Sequence, residues 1–218
     1  MTAFDTIDSS TQSVQSNGSG LRIDLREIAR MVEPGSRVLD VGCGDGSLLA
    51  YLTDKRAVDG RGIELSMDGV HQCVAQGLSV IQGDAEADLE HYPDQAFDYV
   101  ILSQTLQAMR EPHTVLKNLT RIGRRAIVSV PNFGYWRIRW QLLTTGRMPV
   151  TEKLGYEWWE TPNIHFCTLK DFVALARMLG ITIERSLILD GSGRIAAHMP
   201  SGFANLLGEQ GVFLLRRD

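Results

Sequence analysis

The residues best suited to chemistry begin at a glycine-rich turn, residues 40–46 with the sequence DVGCGDG. Glycines let the backbone turn sharply and let a ligand approach main-chain atoms that a Cβ would cover. A helix is predicted directly after the turn, and the free N–H groups of a helix N-terminus favour an anionic group. A dinucleotide-binding turn needs a third glycine where this chain has Ser47, whereas Asp40 suits a ligand that carries an ammonium group. The turn therefore predicts a small-molecule site.

Two more acidic residues follow the next two predicted strands. Glu64 ends the second strand, 22 residues after Gly42, and a ribose-binding carboxylate is expected about 20 residues after such a turn. Asp84 and the preceding Gly83 follow the third strand. A Gly-Asp pair after a strand is a common turn when taken alone. As the third element in this order, it strengthens the prediction of the same site.

A catalytic group is expected where the fourth predicted strand ends, and the residues there are Ser103 and Gln104. Gln104 can line the pocket, but a neutral amide cannot act as a general base. Four of the five histidines are interpreted as structural or exposed. His165, in a loop, stays a candidate beside the alternative that it caps or packs that loop. The catalytic residues are therefore unknown, and the unrelated spacings of the three cysteines predict no metal site.

Apolar periodicity indicates that these residues lie on alternating strands and helices. The predicted helices cover residues 21–33, 47–55, 66–76, 112–123 and 169–179, and the predicted strands cover residues 37–41, 60–65, 78–82, 97–102, 125–130, 181–189 and 211–216. Repeated strand–helix units predict an α/β fold in which helices cover both faces of a parallel sheet.

All four tryptophans and half of the sixteen aromatic residues lie within residues 133–167, which we call the aromatic segment. An insertion of this kind, after the fifth strand, usually covers an active site or contacts a partner. Its tryptophans and arginines superficially resemble a nucleic-acid stacking patch, but the acidic balance of the chain favours a partner-binding or lid helix. The candidate partner or substrate residues are Trp136, Arg137, Arg139, Trp140 and His165.

Composition restricts the class of protein. The net charge of −4 and the pI of about 5.7 argue against nucleic acid as the main partner. No apolar run approaches the ~20 residues that span a bilayer, and no secretory signal pattern opens the chain. We therefore expect a cytoplasmic protein with a mobile polar tail, residues 1–20, and a single domain, residues 21–218.

With these motifs identified, the chain resembles the class I S-adenosylmethionine-dependent methyltransferases. More narrowly, it is similar to the MetW family of methionine-biosynthesis proteins. The first resemblance rests on residues 39–46 (LDVGCGDG), 62–64 (GIE), 83–84 (GD) and 97–100 (FDYV). The second rests on residues 22–25 (RIDL), 103–107 (SQTLQ), 131–134 (PNFG) and 161–165 (TPNIH).

The resemblance implies a three-layer Rossmann-like fold with a mostly parallel seven-stranded sheet and an antiparallel last strand. It implies that S-adenosylmethionine or S-adenosylhomocysteine is bound, with the methionyl carboxylate at the helix N-terminus after the turn and the adenine amino group at Asp84. The implied cofactor-binding residues are Asp40, Gly42, Cys43, Gly44, Gly46, Glu64, Leu65, Asp84, Ala85, Ser103 and Gln104.

The resemblance also implies a partner, because proteins of this family are associated with homoserine O-acyltransferase and are thought to support or regulate it. Two hypotheses follow. The chain is either a binding and regulatory module of that MetX-type enzyme, or a methyltransferase whose small-molecule acceptor needs no strong base. The sequence leaves open a homodimer and the choice between lid and docking surface for the aromatic segment.

Overall fold

The computed structural model describes residues 21–150, 157–190 and 201–217. Within these residues the strands are β1 (Arg37–Val41), β2 (Asp59–Glu64), β3 (Ser79–Gln82), β4 (Phe97–Ser103), β5 (Gly123–Pro131), β6 (Ile181–Leu189) and β7 (Gln210–Arg217). The helices are α1 (Ile23–Met31), α2 (Ser47–Arg56), α3 (Met67–Ala75), α4 (Ala85–Asp88), α5 (Pro112–Ile122), α6 (Trp136–Thr145), α7 (Leu169–Met178) and α8 (Ser201–Leu207). The predicted polar tail lies outside the described residues.

The strands form one sheet in the order β3-β2-β1-β4-β5-β7-β6. Strands β1 to β5 pair in parallel, and β7 lies antiparallel between β5 and β6. The predicted α/β class and the antiparallel last strand are therefore confirmed. Strand order reverses between β1 and β4, which is the position where open α/β sheets place a ligand crevice.

Side chains alternate along each central strand, so the sheet carries one apolar cluster on each face. In β4, Val100 and Leu102 pack with α5 and α7, whereas Tyr99 and Ile101 pack with α1 and α2. These two clusters make the three predicted layers. None of the described helices is long and apolar enough to cross a membrane.

One local prediction differs from the structure. The first helix runs from Ile23 to Met31 and is shorter than predicted at both ends. Gly123 caps the end of α5 as predicted, with a φ of −97°, and it also begins β5 opposite Phe97. A Cβ at Gly123 would lie 2.6 Å from the carbonyl oxygen of Arg125 and 3.1 Å from the backbone nitrogen of Val100 on β4. The close approach of these backbone atoms therefore requires a glycine.

Candidate functional site

The turn after β1 adopts a conformation that glycine accepts easily. Gly42, Gly44 and Gly46 have φ values of +70°, +57° and +77°, in the left-handed region that side chains avoid. The N–H groups of Gly42 and Cys43 donate to the carbonyl of Ile63, at 2.8 and 3.2 Å. A Cβ at Gly44 would meet no atom within 4 Å, so the turn leaves its main chain open to a ligand.

The first of two cavities at this turn has a volume of about 410 Å³, within the usual range of ligand sites. Asp40 lines it with only 2% of its surface exposed, and no described residue donates a hydrogen bond to its carboxylate. Burial, with smaller contributions from Glu64 and Asp45, raises the pKa of Asp40 to about 7. The lining residues are Arg22, Leu25, Asp40, Gly42, Cys43, Gly44, Asp45, Ser47, Leu48 and Ser103.

The second cavity, of about 490 Å³, shares Gly42 with the first. Glu64 lines it, and its two carboxylate oxygens accept hydrogen bonds from the N–H groups of Gly44 (2.7 Å) and Ser66 (2.9 Å). Each oxygen keeps a further acceptor position, so the backbone fixes a carboxylate that can still bind a diol. The lining residues are Gly42, Ile63, Glu64, Leu65, Gly83, Asp84, Ala85, Glu86, Thr105, Ala108, Met109, Arg110 and Ile164.

Asp84 and Ala85 lie at the start of α4, on the wall of this second cavity. The exposed Asp84 carboxylate caps the helix by accepting from the N–H of Glu86 at 2.9 Å. Ala85 is buried, and the Leu65 side chain is 68% exposed. The structure thus brings the three predicted residues to one cavity.

Ser103 and Gln104 separate at the end of β4. Ser103 lines the first cavity, with its Oγ 3.1 Å from the Oγ of Ser129. The side chain of Gln104 instead turns toward α1, where its Nε2 donates to Asp24 at 2.8 Å. Gln104 has a positive φ of +53°, and it lines neither cavity. A contact between Gln104 and a ligand therefore stays a prediction. The direction of the Gln104 side chain does not support it.

The N-terminus of α2 also differs from the expectation for an anion site. The Oδ1 of Asp45 accepts from the N–H of Ser47 at 3.0 Å. The first N–H group of that helix is therefore already hydrogen-bonded to a carboxylate of the protein. Cys43 contributes its backbone, since its sulfur packs 3.9 Å from that of Cys73. Burial strongly raises the pKa of the Cys43 thiol, which makes a thiolate nucleophile unfavourable there.

Sequence reasoning missed Arg22, which reaches the first cavity from the residue before α1. Its signal was present, because Arg22 opens one of the motifs that carry the family resemblance. It also missed Met109, Arg110 and Ile164 in the second cavity. Among the described residues that line the two cavities there is no histidine, lysine or tyrosine. The described residues contain no group of three or more His, Cys, Asp and Glu side chains that could hold a metal ion.

Four of the five candidate partner residues, all except His165, lie on the exposed side of α6. Trp136 and Trp140 are 42% and 62% exposed. The guanidinium of Arg137 lies over the Trp136 ring, 5.5 Å from its centroid, and Arg139 donates to the carbonyl of Gly134. Ile138 is the one residue of α6 whose side chain is buried. The other side chains of this helix are half-buried or exposed.

His165 lies near the second cavity but outside its lining. Its exposed ring places Nε2 3.4 Å from the carbonyl oxygen of Arg110. The N–H groups of Ile164 and His165 both donate to the carbonyl of Gln107, at 2.9 and 3.0 Å. These bonds attach the end of the aromatic segment to the wall of the second cavity.

The strand order, the antiparallel β7 and the crevice where the strand order reverses define the fold of class I S-adenosylmethionine-dependent methyltransferases. An S-adenosylmethionine-dependent methyltransferase from Mesorhizobium loti matches with a TM-score of 0.66 and 16% identity, over 92% of this chain and all of that one. Another, from Thermotoga maritima, matches with a TM-score of 0.63 and 18% identity, over 89% of this chain and 87% of that one.

The chain belongs to the MetW family, because the model of "Methionine biosynthesis protein MetW" matches residues 22–215. It is 32% identical over 222 residues to the bifunctional methionine biosynthesis protein MetXA/MetW of Rhodopirellula baltica. That match covers 97% of this chain and 35% of the relative, so the chain spans about a third of that protein.

Proposed function

We propose that this chain binds S-adenosylmethionine, or its demethylated product S-adenosylhomocysteine, across the two cavities. The observation that carries the proposal is the Asp40 carboxylate, which is buried in the first cavity with no hydrogen-bond donor among the described residues. Burying a charge is costly unless it is paired, and the ammonium group of the methionyl moiety supplies that pair. Glu64 then accepts from the ribose hydroxyls and Asp84 from the adenine amino group.

Apolar side chains of the second cavity support an aromatic base there. Leu65, Met109 and Ile164 line it, and Leu65 and Ile164 are 68% and 56% exposed. A base between them removes apolar surface from water, and each Å² so buried contributes about 25 cal/mol. The exposed Leu65 thus acquires a function as one face of a base-binding site.

We further propose that the chain associates with a homoserine O-acyltransferase and regulates or supports it. A relative that combines MetXA and MetW in one chain supports this association, since domains that act together are often fused. The exposed aromatic and arginine side chains of α6 are of the types that anchor protein interfaces. We assign the partner contact to this helix.

Regulation by the ligand follows from the chemistry of the pathway. S-adenosylmethionine is made from methionine, so its concentration reports whether methionine is sufficient. A continuous set of hydrogen bonds offers a route between the aromatic segment and the first cavity. The N–H groups of Ile164 and His165 donate to the carbonyl of Gln107. The Nε2 of Gln107 donates to the carbonyl of Gln104 at 2.7 Å. The Nε2 of Gln104 donates to Asp24, which also accepts from the cavity residue Arg22.

A small-molecule methyltransferase is the second candidate function. The methyltransferase fold favours it, although the described cavity linings contain no histidine, lysine or tyrosine to act as a base. An acceptor such as a carboxylate or thiolate would need no strong base, because proximity and alignment could supply the catalysis.

Acyl transfer to homoserine tests the proposal directly. The rate is measured with the acyltransferase alone, with this protein added, and with S-adenosylmethionine titrated into the mixture, with labelled methyl groups followed in parallel. We expect this protein to change the rate and the ligand to modulate that change. The Asp40→Asn variant should change the rate but lose the response to the ligand.

The outcomes separate the parts of the proposal. Equal rates with and without this protein would reject the partnership. A rate change that ignores S-adenosylmethionine would keep the partnership and reject the sensor. Transfer of the labelled methyl group to a small acceptor, without any effect on the acyltransferase, would favour the second candidate.

A further inference from the structure

Residues 157–166, which we call the connecting segment, reach the second cavity without belonging to a helix or strand. None of these ten residues is buried. Ile164 lines the second cavity, and 56% of its surface is exposed. The bonds of Ile164 and His165 to Gln107 and the contact of the His165 ring with the Arg110 carbonyl lie at one end of the segment. Few contacts with the other described residues therefore fix its position.

The other side of the connecting segment faces residues that flank α6. A small apolar cavity of about 30 Å³ lies there, and Met148, Trp158 and Phe166 are among its lining residues. The ring of Phe166 packs against that of Phe133, with 4.6 Å between the centroids. Trp158 and its neighbour Trp159 are 67% and 62% exposed. The exposed apolar surface beside α6 therefore extends onto this segment.

One segment thus contributes to two surfaces, the wall of the second cavity and the aromatic surface beside α6. Ordering a loosely held segment costs conformational entropy. A ligand that packs against Ile164 meets part of this cost, so a partner that binds the tryptophans afterwards meets less of it. Thermodynamic linkage then requires that each binding event strengthens the other by the same factor.

We propose that the connecting segment couples ligand binding to partner binding. The base of the ligand contacts Ile164 on one side, and the acyltransferase contacts Trp158 and Trp159 on the other. The ligand therefore raises the affinity for the acyltransferase. This coupling rests on the proposed function, in which a relative that carries MetXA and MetW in one chain supports the choice of partner. It places the regulatory contact at the base, apart from the hydrogen-bonded route to the first cavity.

Two variants in the wall of the second cavity test the coupling. The affinity for the acyltransferase is measured by titration without ligand and with S-adenosylmethionine at a concentration that saturates each variant. The ratio of the two affinities, the coupling factor, should be about fivefold or more in the wild-type protein. Ile164→Ala should reduce it to less than about twofold. Leu65→Ala removes another exposed side chain of the same cavity, directly after β2, and should weaken S-adenosylmethionine but keep the coupling factor.

Fragments of the ligand separate the two cavities. 5′-Methylthioadenosine carries the base and the ribose without the amino acid, whereas methionine carries the amino acid alone. At saturation, 5′-methylthioadenosine should raise the affinity for the acyltransferase as S-adenosylmethionine does, and methionine should not. If 5′-methylthioadenosine does not bind, the two wall variants decide the matter. Thermal unfolding of each variant, measured first, separates lost binding from lost folding.

A third variant tests the partner side of the segment. Trp159→Ala should weaken the acyltransferase about 10-fold or more, as for an interface anchor. The same variant should leave the affinity for S-adenosylmethionine within about twofold when no partner is present, because Trp159 lines neither ligand cavity.

The proposed function and this coupling fail in different ways. If the wild-type protein binds no adenosyl ligand, or does not bind the acyltransferase, the proposed function is rejected and the coupling with it. If it binds both, three results would each overturn the coupling alone. These are a wild-type affinity for the acyltransferase that the ligand does not raise, a coupling factor that survives in Ile164→Ala, and unchanged acyltransferase binding in Trp159→Ala.

Discussion

At the scale of single residues, Asp40 places ligand binding and stability in opposition. Its buried carboxylate has a pKa of about 7 instead of the usual 3.8, chiefly because of burial. Between pH 3.8 and 7 the folded protein therefore keeps a proton on Asp40, whereas the unfolded chain has already released it. Stability falls as the pH rises through that window and levels off above it. A residue that serves only the fold would not be expected at this position.

The Asp40→Asn variant tests this opposition. Asparagine keeps the shape but removes the buried charge, so raising the pH from 5 to 8 should cost the wild-type protein about 3 kcal/mol more unfolding free energy than the variant. The affinity for S-adenosylmethionine should fall about 10- to 100-fold at pH 8, because the pair with the ammonium group is lost. Denaturant unfolding and calorimetry at the two pH values measure both effects.

The control for this experiment is Asp54→Asn, which removes an exposed carboxylate on α2. It should change neither the pH dependence of stability nor the affinity. Equal pH dependence in the wild-type protein and Asp40→Asn would show that Asp40 is ionised without cost. That result would remove the main support for a cationic ligand at this residue.

At the scale of elements, α6 contributes little to the core and much to the surface. Trp136, Trp140 and Leu143 recur at the spacing of one helical face and are 42%, 62% and 79% exposed. The described residues 133–150 include Arg137, Arg139 and Arg147 but no Asp or Glu, although the whole chain has a net charge of −4. An apolar helix face flanked by cations would complement a partner surface that is apolar with acidic edges.

Truncation of Trp140 to alanine separates an interface from a core. Because the ring is mostly exposed, we expect the free energy of unfolding to fall by less than about 1 kcal/mol. We expect binding to the acyltransferase to weaken by about 2 kcal/mol or more, as for an interface anchor. Titration of the two proteins and denaturant unfolding provide the two numbers.

Two comparison variants define the scale for Trp140→Ala. Phe172→Ala removes a buried ring on α7 and should cost about 3–5 kcal/mol of stability. Met178→Ala removes a side chain that is 72% exposed outside the aromatic segment and should affect neither measurement. Loss of stability with unchanged partner binding in Trp140→Ala would assign the ring to the fold.

At the scale of the whole molecule, the sequence pattern predicted the features that depend on interactions between neighbouring residues. The apolar run of β4 and the glycines of the turn were identified because their signal lies within a few neighbouring residues. The hydrogen bond from the N–H of Ser47 to Asp45 is also local. An aspartate side chain often bonds to the N–H two residues later, and this signal was overlooked. The short helix α8 was not predicted.

Contacts between distant residues could not be predicted from the sequence in this way. Asp24, which positions Arg22, accepts from Gln104 and Gln210, which are 80 and 186 positions away. Only the folded sheet brings β4, β7 and α1 together, so these contacts of Asp24 became visible in the structure alone. The pairing of Gly123 with Phe97, which makes this helix cap also the first residue of β5, has the same origin.

Calorimetric titration of the purified protein with S-adenosylmethionine is the most direct test of the central claim. We predict binding at one site, together with a rise in the thermal unfolding temperature. Glu64→Ala should weaken the binding by about 1–3 kcal/mol, whereas Glu90→Ala, an exposed carboxylate outside both cavities, should leave it unchanged. The absence of heat and of any thermal shift at millimolar ligand would contradict the account.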